Sequence, residues 1–275
     1  MVSIFPVFYF PIVQVIFMQY QFGGTQRLYS ESGLKCLNQS AVTVVGIGGV
    51  GSWVAEALAR TAIGKLTLID MDDVCVTNTN RQIHADTSTV GQLKVKVMAE
   101  RIKLISPDCQ VTPIVDFVSA ENLTDYLDTN TDYVVDAIDN ARVKAAMIAH
   151  CKRQKLKIIT IGGAGGQIDP QKITTSDLSR TWQDPLSAKV RNELRRNYRF
   201  SKNPKRRFGI ECVYSTEQLL YPKADGSVCY QKQSREGSAR LDCAQGLGAS
   251  VMVTATFGMI AAARVVNKLL AQNRL

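Results

Sequence analysis

The chain has 275 residues, 45% hydrophobic and 21% charged, a composition that supports a buried core and a soluble globular fold. Its formal charge of +9 is concentrated in "KVRNELRRNYRFSKNPKRR" (189–207), where nine Lys or Arg meet one Glu and the remainder is left near neutral. Seven cysteines without a C-x-x-C pair, and only two histidines (His84 and His150), argue against a zinc ribbon, a disulfide framework or a multi-histidine metal site, and fit free thiols in a reducing cytoplasm.

Residues 1–17 are apolar, interrupted by Pro6 and Pro11, and lack the basic n-region and cleavage site of a targeting signal. They read as a membrane anchor or as an upstream extension that is not native, with Met18 as the start; the second reading is preferred because organised sequence begins just after Met18. From there short β-rich runs alternate with helical patterns, the signature of a parallel α/β sheet. "AVTVVG" (41–46) predicts a buried strand and "GSWVAEALARTAIG" (51–64) the helix after it. Strands follow at 65–70, 110–118, 133–139 and 157–165, with helices at 92–106 and 141–155. After residue 165 the alternation gives way to an extended segment, the basic stretch, and two strands around the turn "KADGS" (223–227). The uncharged run 243–263 holds too many small residues for a lipid-facing span and reads as part of a buried helix over 247–272. The expected fold is α/β: a Rossmann-like, mostly parallel sheet with a glycine loop, then an elaborated second half with extra strands and a C-terminal helix. We expect one domain over 18–275, divided into a nucleotide-binding half (18–165) and a substrate or dimer half (166–275).

Between the first strand and its helix, "VVGIGGVGS" places G-x-G-x-x-G at Gly46, Gly48 and Gly51, where backbone N–H groups and a helix N-terminus receive phosphate. Asp70 ends the second strand, 19 residues after Gly51, in position to bond ribose hydroxyls. Alone, this pattern defaults to NAD binding. Asn78 and Arg81 in "TNTNRQ", Lys94 at the start of the next helix and Asp139 at the end of a further strand change the reading. Hydride transfer has little need of two cations and an extra acid beside a pyrophosphate. Cleavage between α and β phosphates needs cations to stabilise the leaving pyrophosphate and a carboxylate to hold Mg²⁺. The basic stretch suggests a polyanion such as RNA or DNA, the alternative being a solvated basic surface helix.

"GIGGVGS", "LIDMDDV", "TNTNRQ" and "DAIDN" resemble the adenylating domain shared by ThiF, MoeB, HesA and the ubiquitin-activating enzymes, over nearly the whole chain beyond residue 20. "QFGGTQRLY", "MDDVCVTNTNRQIHA", "GGAGGQIDP" and "DGSVC" are similar to one branch of it, the tRNA threonylcarbamoyladenosine dehydratases. The resemblance implies ATP-dependent cyclisation of N6-threonylcarbamoyladenosine at position 37 of ANN-decoding tRNAs through carboxylate adenylation. Gly46, Gly48, Gly49 and Gly51 would cradle the ATP phosphates, and Asp70 would bind the ribose. Asn78, Arg81 and Lys94 would contact phosphates, Asp139 would engage Mg²⁺ and Asn140 would help fix the nucleotide. Arg27 would reach into the ATP site of the other subunit of a homodimer. Missing zinc-binding cysteine pairs favour this branch over the zinc-containing relatives, so no zinc is expected. Gln21 stands where relatives carry the arginine of "RFGG".

Cys243 in "RLDCAQGLG", just before a helix, is the first candidate for a covalent acyl intermediate and Cys229 the second, although ring closure needs no thioester. The family also suggests a cysteine desulfurase with a SufE-like sulfur acceptor as partner. The basic stretch would hold the anticodon stem-loop, with Tyr198 or Phe200 available to stack on a base. The chief alternative function is an adenylating activator of a ubiquitin-like sulfur carrier; a non-catalytic nucleotide-sensing RNA-binding module and an NAD dehydrogenase stand further off. A cytoplasmic location is expected, with membrane association through the apolar N-terminus or C-terminal helix the weaker reading.

Overall fold

The computed structural model describes residues 21–223, 225–231 and 247–272. In chain order the elements are α1 (Gly23–Gln39), β1 (Ala41–Val45), α2 (Gly51–Ala59), β2 (Lys65–Ile69), α3 (Lys94–Ile105), β3 (Gln110–Ile114), α4 (Leu123–Tyr126), β4 (Tyr133–Asp136), α5 (Ala141–Gln154) and β5 (Ile158–Ile161). They continue with β6 (Ile173–Asp177), α6 (Pro185–Asn197), β7 (Glu211–Ser215), β8 (Tyr221–Pro222), β9 (Val228–Cys229) and α7 (Val251–Gln272).

Seven strands form one sheet in the order β3-β2-β1-β4-β5-β7-β6, parallel except where β6 runs antiparallel to β7. Its central strands are buried on both faces, which is why β1, β4 and β5 read as mostly apolar runs rather than alternating ones. One face carries a cluster from α1, α2, α3 and α7, including Leu37, Val54, Met98 and Phe257; the other carries Met147, Ile148, Val190 and Leu194 from α5 and α6. β8 and β9 form the small hairpin expected around 223–227.

The strands and helices anticipated before residue 165 are all present, most of them trimmed at their ends. By length and composition α7 could cross a membrane, yet its Val253, Phe257, Ala261 and Val265 stripe is fully buried against the sheet and α2. The small residues of this helix serve close packing: a Cβ on Gly258 would lie 2.7 Å from Cβ of Trp53 and 2.9 Å from the Val50 carbonyl oxygen. Helices α1 and α6 were not foreseen as defined elements. α1 is broken at Ser30, where φ is 73°, so its buried residues (Gly33, Leu34, Cys36, Leu37) all fall in its second half and no full-length apolar period exists to be read. α6 buries only Ser187, Val190 and Leu194 beneath a strongly basic surface. The surface-helix reading of the basic stretch thus holds for its first half, and residues 198–207 form a loop.

Candidate active site

A cleft of about 1010 Å³ opens over the carboxyl ends of β1, β2, β4 and β5. It sits where the strand order reverses between β1 and β4, the topological switch point at which such sheets bind ligands. The switch arises because β1 leads to β2 on one side while the chain crosses back to lay β4 on the other.

Gly46, Gly48 and Gly49 line the cleft floor. Gly46 has φ of 89°, and the space around Gly48 is open for 4 Å, room for a phosphate against the backbone. Gly51 does not line the cleft. A Cβ there would meet the Gly46 carbonyl oxygen at 1.8 Å, so this glycine lets α2 start tightly against the loop and is a packing residue, a correction to the expectation that it cradles phosphate. Asp70 accepts hydrogen bonds from the Ile47 N–H (2.6 Å) and the Asp72 N–H (2.9 Å), tying the glycine loop to the end of β2. Burial raises its pKa above the ordinary value, opposed by the nearby Lys94 ammonium.

The "TNTNRQ" segment forms a 3₁₀ turn (Val76–Asn78) at the rim. The buried Asn78 holds this turn by accepting from the Cys75 N–H at 3.0 Å. Arg81 lies against Gly49 and donates to the Thr77 carbonyl (2.8 Å) and to Oδ1 of Asn80 (2.9 Å). Its own carbonyl accepts from Trp53 Nε1 (3.0 Å) in α2 and from Thr254 (3.4 Å) in α7, so its backbone is braced by two helices. Lys94, 6% exposed at the first turn of α3, pairs with Asp72 at 2.7 Å. Asp139 is exposed on the opposite wall and makes no hydrogen bond or ion pair among the described residues. Asn140, beside it, caps α5 by accepting from the Arg142 and Val143 N–H groups (3.1 and 3.3 Å), so its side-chain oxygen is already engaged.

The structure therefore brings Gly46, Gly48, Gly49, Asp70, Asn78, Arg81, Lys94, Asp139 and Asn140 to one cleft. It does not bring Arg27 there: that residue is exposed on the first half of α1. Cys229 lies on β9, outside the cleft, with its thiol on the Gln231 carbonyl at 3.1 Å. Cys243 falls outside the described residues, as do residues 1–17. Tyr198 and Phe200 pack into the α5–α6 cluster, and Phe200 meets Phe208 edge to face at 5.0 Å; the expectation of a free stacking ring is not met by Phe200.

Sequence reasoning missed three contributors. Phe117, Val118 and Ile138 give the cleft an apolar flank suited to a purine face, and only Ile138 lay in a quoted motif. Asp72 holds Lys94. Beneath Asp139, Lys144 (1% exposed) pairs with Asp136 (0% exposed) at 2.9 Å and donates to the Ile138 carbonyl at 2.9 Å, while Thr160 donates to Asp136 at 2.6 Å. This buried network pins the loop that carries Asp139. A single carboxylate beside bound phosphates is enough for Mg²⁺, which keeps several waters and seldom needs a protein cage, so Asp139 fits that ion with ATP. Among the described residues no group of three His, Cys, Asp or Glu converges elsewhere.

Residues 24–274 match the ThiF family. The chain is 55% identical over 252 residues to the tRNA threonylcarbamoyladenosine dehydratase of Escherichia coli (strain K12), an alignment covering 92% of this chain and 94% of that protein. It is similar to the solved structure of TcdA (CsdL), with a TM-score of 0.86 at 52% identity, covering 93% of this chain and 96% of that one. A second similar structure is the E. coli tRNA N6-threonylcarbamoyladenosine dehydratase TcdA in complex with ATP, with a TM-score of 0.83 at 50% identity and the same coverage.

Proposed function

The chain belongs to the ThiF family, and we propose that it is an ATP-dependent dehydratase that cyclises N6-threonylcarbamoyladenosine in tRNA by adenylating its carboxylate. The observation that carries this reading is the convergence of Arg81, Lys94 and Asp139 on one glycine-lined cleft. A free carboxylate resists internal attack because its leaving group would be oxide. Attack of that carboxylate on the α-phosphorus breaks the bond to the bridging oxygen, releases pyrophosphate and leaves a mixed anhydride with AMP. A nucleophile of the same threonylcarbamoyl group then closes a five-membered ring at the carbonyl carbon, and AMP departs with the former carboxylate oxygen. Ring closure benefits from the high effective concentration of an intramolecular group.

In this scheme the N–H groups of the glycine loop, favoured by the α2 dipole behind them, bind phosphate, and Arg81 and Lys94 take up the charge that builds on pyrophosphate. Lys94 can keep its bond to Asp72, since its ammonium has further N–H donors for phosphate. Asp70 accepts from the ribose, the flank of Phe117 and Ile138 holds the adenine, and Asn78 and Asn140 keep the two rims in shape. Asp139 would hold Mg²⁺, which would supply positive charge at the phosphates. Arg27, exposed on α1, completes the site of a second copy in a homodimer. We further propose a cytoplasmic protein without zinc, in which 18–165 serve the nucleotide and 166–275 the tRNA and the dimer. Cys243 or Cys229 would serve a sulfur-accepting partner.

The test is mass spectrometry of nucleosides from ANN-decoding tRNA incubated with the protein, Mg²⁺ and ATP. The modified adenosine should lose one water with the wild type and keep it with Arg81→Ala. An unchanged mass, with ATP–pyrophosphate exchange appearing only when a sulfur-carrier protein is added, would move the assignment to a carrier-activating enzyme. For the dimer, mixing inactive Arg27→Ala and Arg81→Ala chains should restore about a quarter of the activity, since half the dimers then own one intact site; no restoration would place Arg27 outside the reaction.

A further inference from the structure

Helices α5 and α6 both begin at the cleft, where Asn140, Val143 and Leu186 line it, and both run down one face of the sheet to its opposite edge. With 14 and 13 residues they carry the chain about 20 Å from the nucleotide site. At their foot a cavity of about 380 Å³ is lined by Lys152, Arg153, Arg199, Arg206 and Arg207, and by no carboxylate. The five come from two stretches far apart in sequence, so the basic run 189–207 accounts for only part of the convergence. Lys152 also lines an adjoining hollow with Lys155, Lys157 and Lys268, whose one acid, Glu211, is engaged by Arg264.

Three features set this region apart from a solvated basic surface. First, the side chains of Arg153, Arg199, Arg206 and Arg207 have no hydrogen bond or ion pair among the described residues. Like charges lining one cavity with no acid among them favour an anion that joins them. Second, the cavity is built. Phe200 and Phe208 form its floor, Lys152 sits 5.5 Å over the Phe200 ring, and Asp177 anchors the loop by accepting from the Phe208 and Gly209 N–H groups at 2.9 and 2.7 Å. Third, α5 and α6 each end on a basic residue in left-handed backbone, Lys155 (φ 58°) and Arg199 (φ 59°), at positions where glycine is the easiest occupant. Helix dipoles favour a cation or two at such ends, but not the eight Lys and Arg that line the two hollows.

We propose that this cationic hollow at the foot of α5 and α6 binds backbone phosphates of the tRNA stem while the modified adenosine occupies the cleft about 20 Å away. The inference rests on the dehydratase reading and assigns that enzyme a second contact remote from ATP. The guanidinium groups match phosphate oxygens in pairs, and a regular duplex backbone asks for charge and spacing rather than base-reading groups.

The experiment compares Arg206→Glu/Arg207→Glu with wild type by measuring Kd for an anticodon stem-loop and for whole tRNA across a salt series. We expect at least a tenfold rise in Kd for tRNA and a fall of about two in the slope of log K against log salt, one for each lost phosphate contact. The ATP-induced rise in melting temperature, kept in the variant, shows that the fold and nucleotide site persist. Arg206→Lys/Arg207→Lys, which retains the charge, should recover most of the affinity. Unchanged affinity and slope in a charge-reversed protein, alongside wild type that dehydrates tRNA, would overturn the second contact alone. Wild type that fails to dehydrate tRNA would instead overturn the reading on which it rests.

Discussion

The two edges of the sheet both gather positive charge, and they hold it in different ways. At the cleft edge each cation is bound to something even before a ligand arrives: Lys94 to Asp72, Arg81 to Thr77 and Asn80. At the opposite edge Arg153, Arg199, Arg206 and Arg207 line a cavity free of carboxylates, their side chains without partners among the described residues. Transition-state stabilisation rewards charges fixed in direction, because orienting them during the reaction would add to the barrier. Docking a polyanion rewards density, since released counterions supply the affinity and no single geometry matters. One chain thus carries paired cations at the cleft, on a braced turn and a helix start, and a carboxylate-free group of cations at the foot of α5 and α6.

Substitutions can separate the two regimes. The largest effect belongs beneath the cleft: Lys144→Met strands the buried Asp136 carboxylate and should cost about 3–5 kcal/mol, read as a fall in Tm. Adding Asp136→Asn should return much of that loss. If Lys144→Met melts like wild type, the pair does not hold the Asp139 loop. Next comes Arg81→Ala, for which we expect pyrophosphate exchange to drop about 10²–10³-fold with little change in Tm, as for removal of one preorganised donor.

A third test uses pH. Burial, with Lys94 and Arg101 nearby, lowers the His84 pKa from 6.5 to about 4, and neither ring nitrogen has a hydrogen-bond partner among the described residues. Between those values the unfolded chain carries a proton that the folded one refuses. Stability should therefore be flat in this group above about pH 6.5 and decline toward pH 4, by a total on the order of 3 kcal/mol. Denaturant titrations of wild type and His84→Gln at pH 7 and pH 5 should diverge in slope with pH; parallel behaviour would mean the ring is solvated. The smallest effect is expected at the opposite edge. Arg153→Ala, which removes a cation with no side-chain partner among the described residues, should change stability by less than about 0.5 kcal/mol. A clear loss of stability there would erase the contrast between the edges.

Much of this was legible in the sequence, for physical reasons that differ by residue. β1, β4 and β5 were readable because burial on both faces leaves a run of branched apolar side chains. Asp70, Arg81, Lys94 and Asp139 were readable because a parallel sheet delivers every strand end to the same edge. Gly51 lay in a readable motif but admits the helix instead of lining the cleft, and Asn140 lines the cleft while its Oδ1 caps α5. The Asp136–Lys144 pair was not legible, since a lysine inside an amphipathic helix reads as surface until the strand beside it is known. The α5–α6 foot was only half legible, because Lys152 and Arg153 join the basic run through the fold and not through the chain.

Helix α7 touches both edges. From Thr254, which meets the Arg81 carbonyl, to Lys268, which lines the hollow, it advances about 21 Å. The interval between chemistry and docking is therefore set by a rigid rod and not by a loop. The protein acts as a gauge: a free nucleoside or short oligonucleotide reaches one end of it or the other, and only an RNA long enough to span the interval engages both. Substrate length becomes a selection rule, applied without reading a single base.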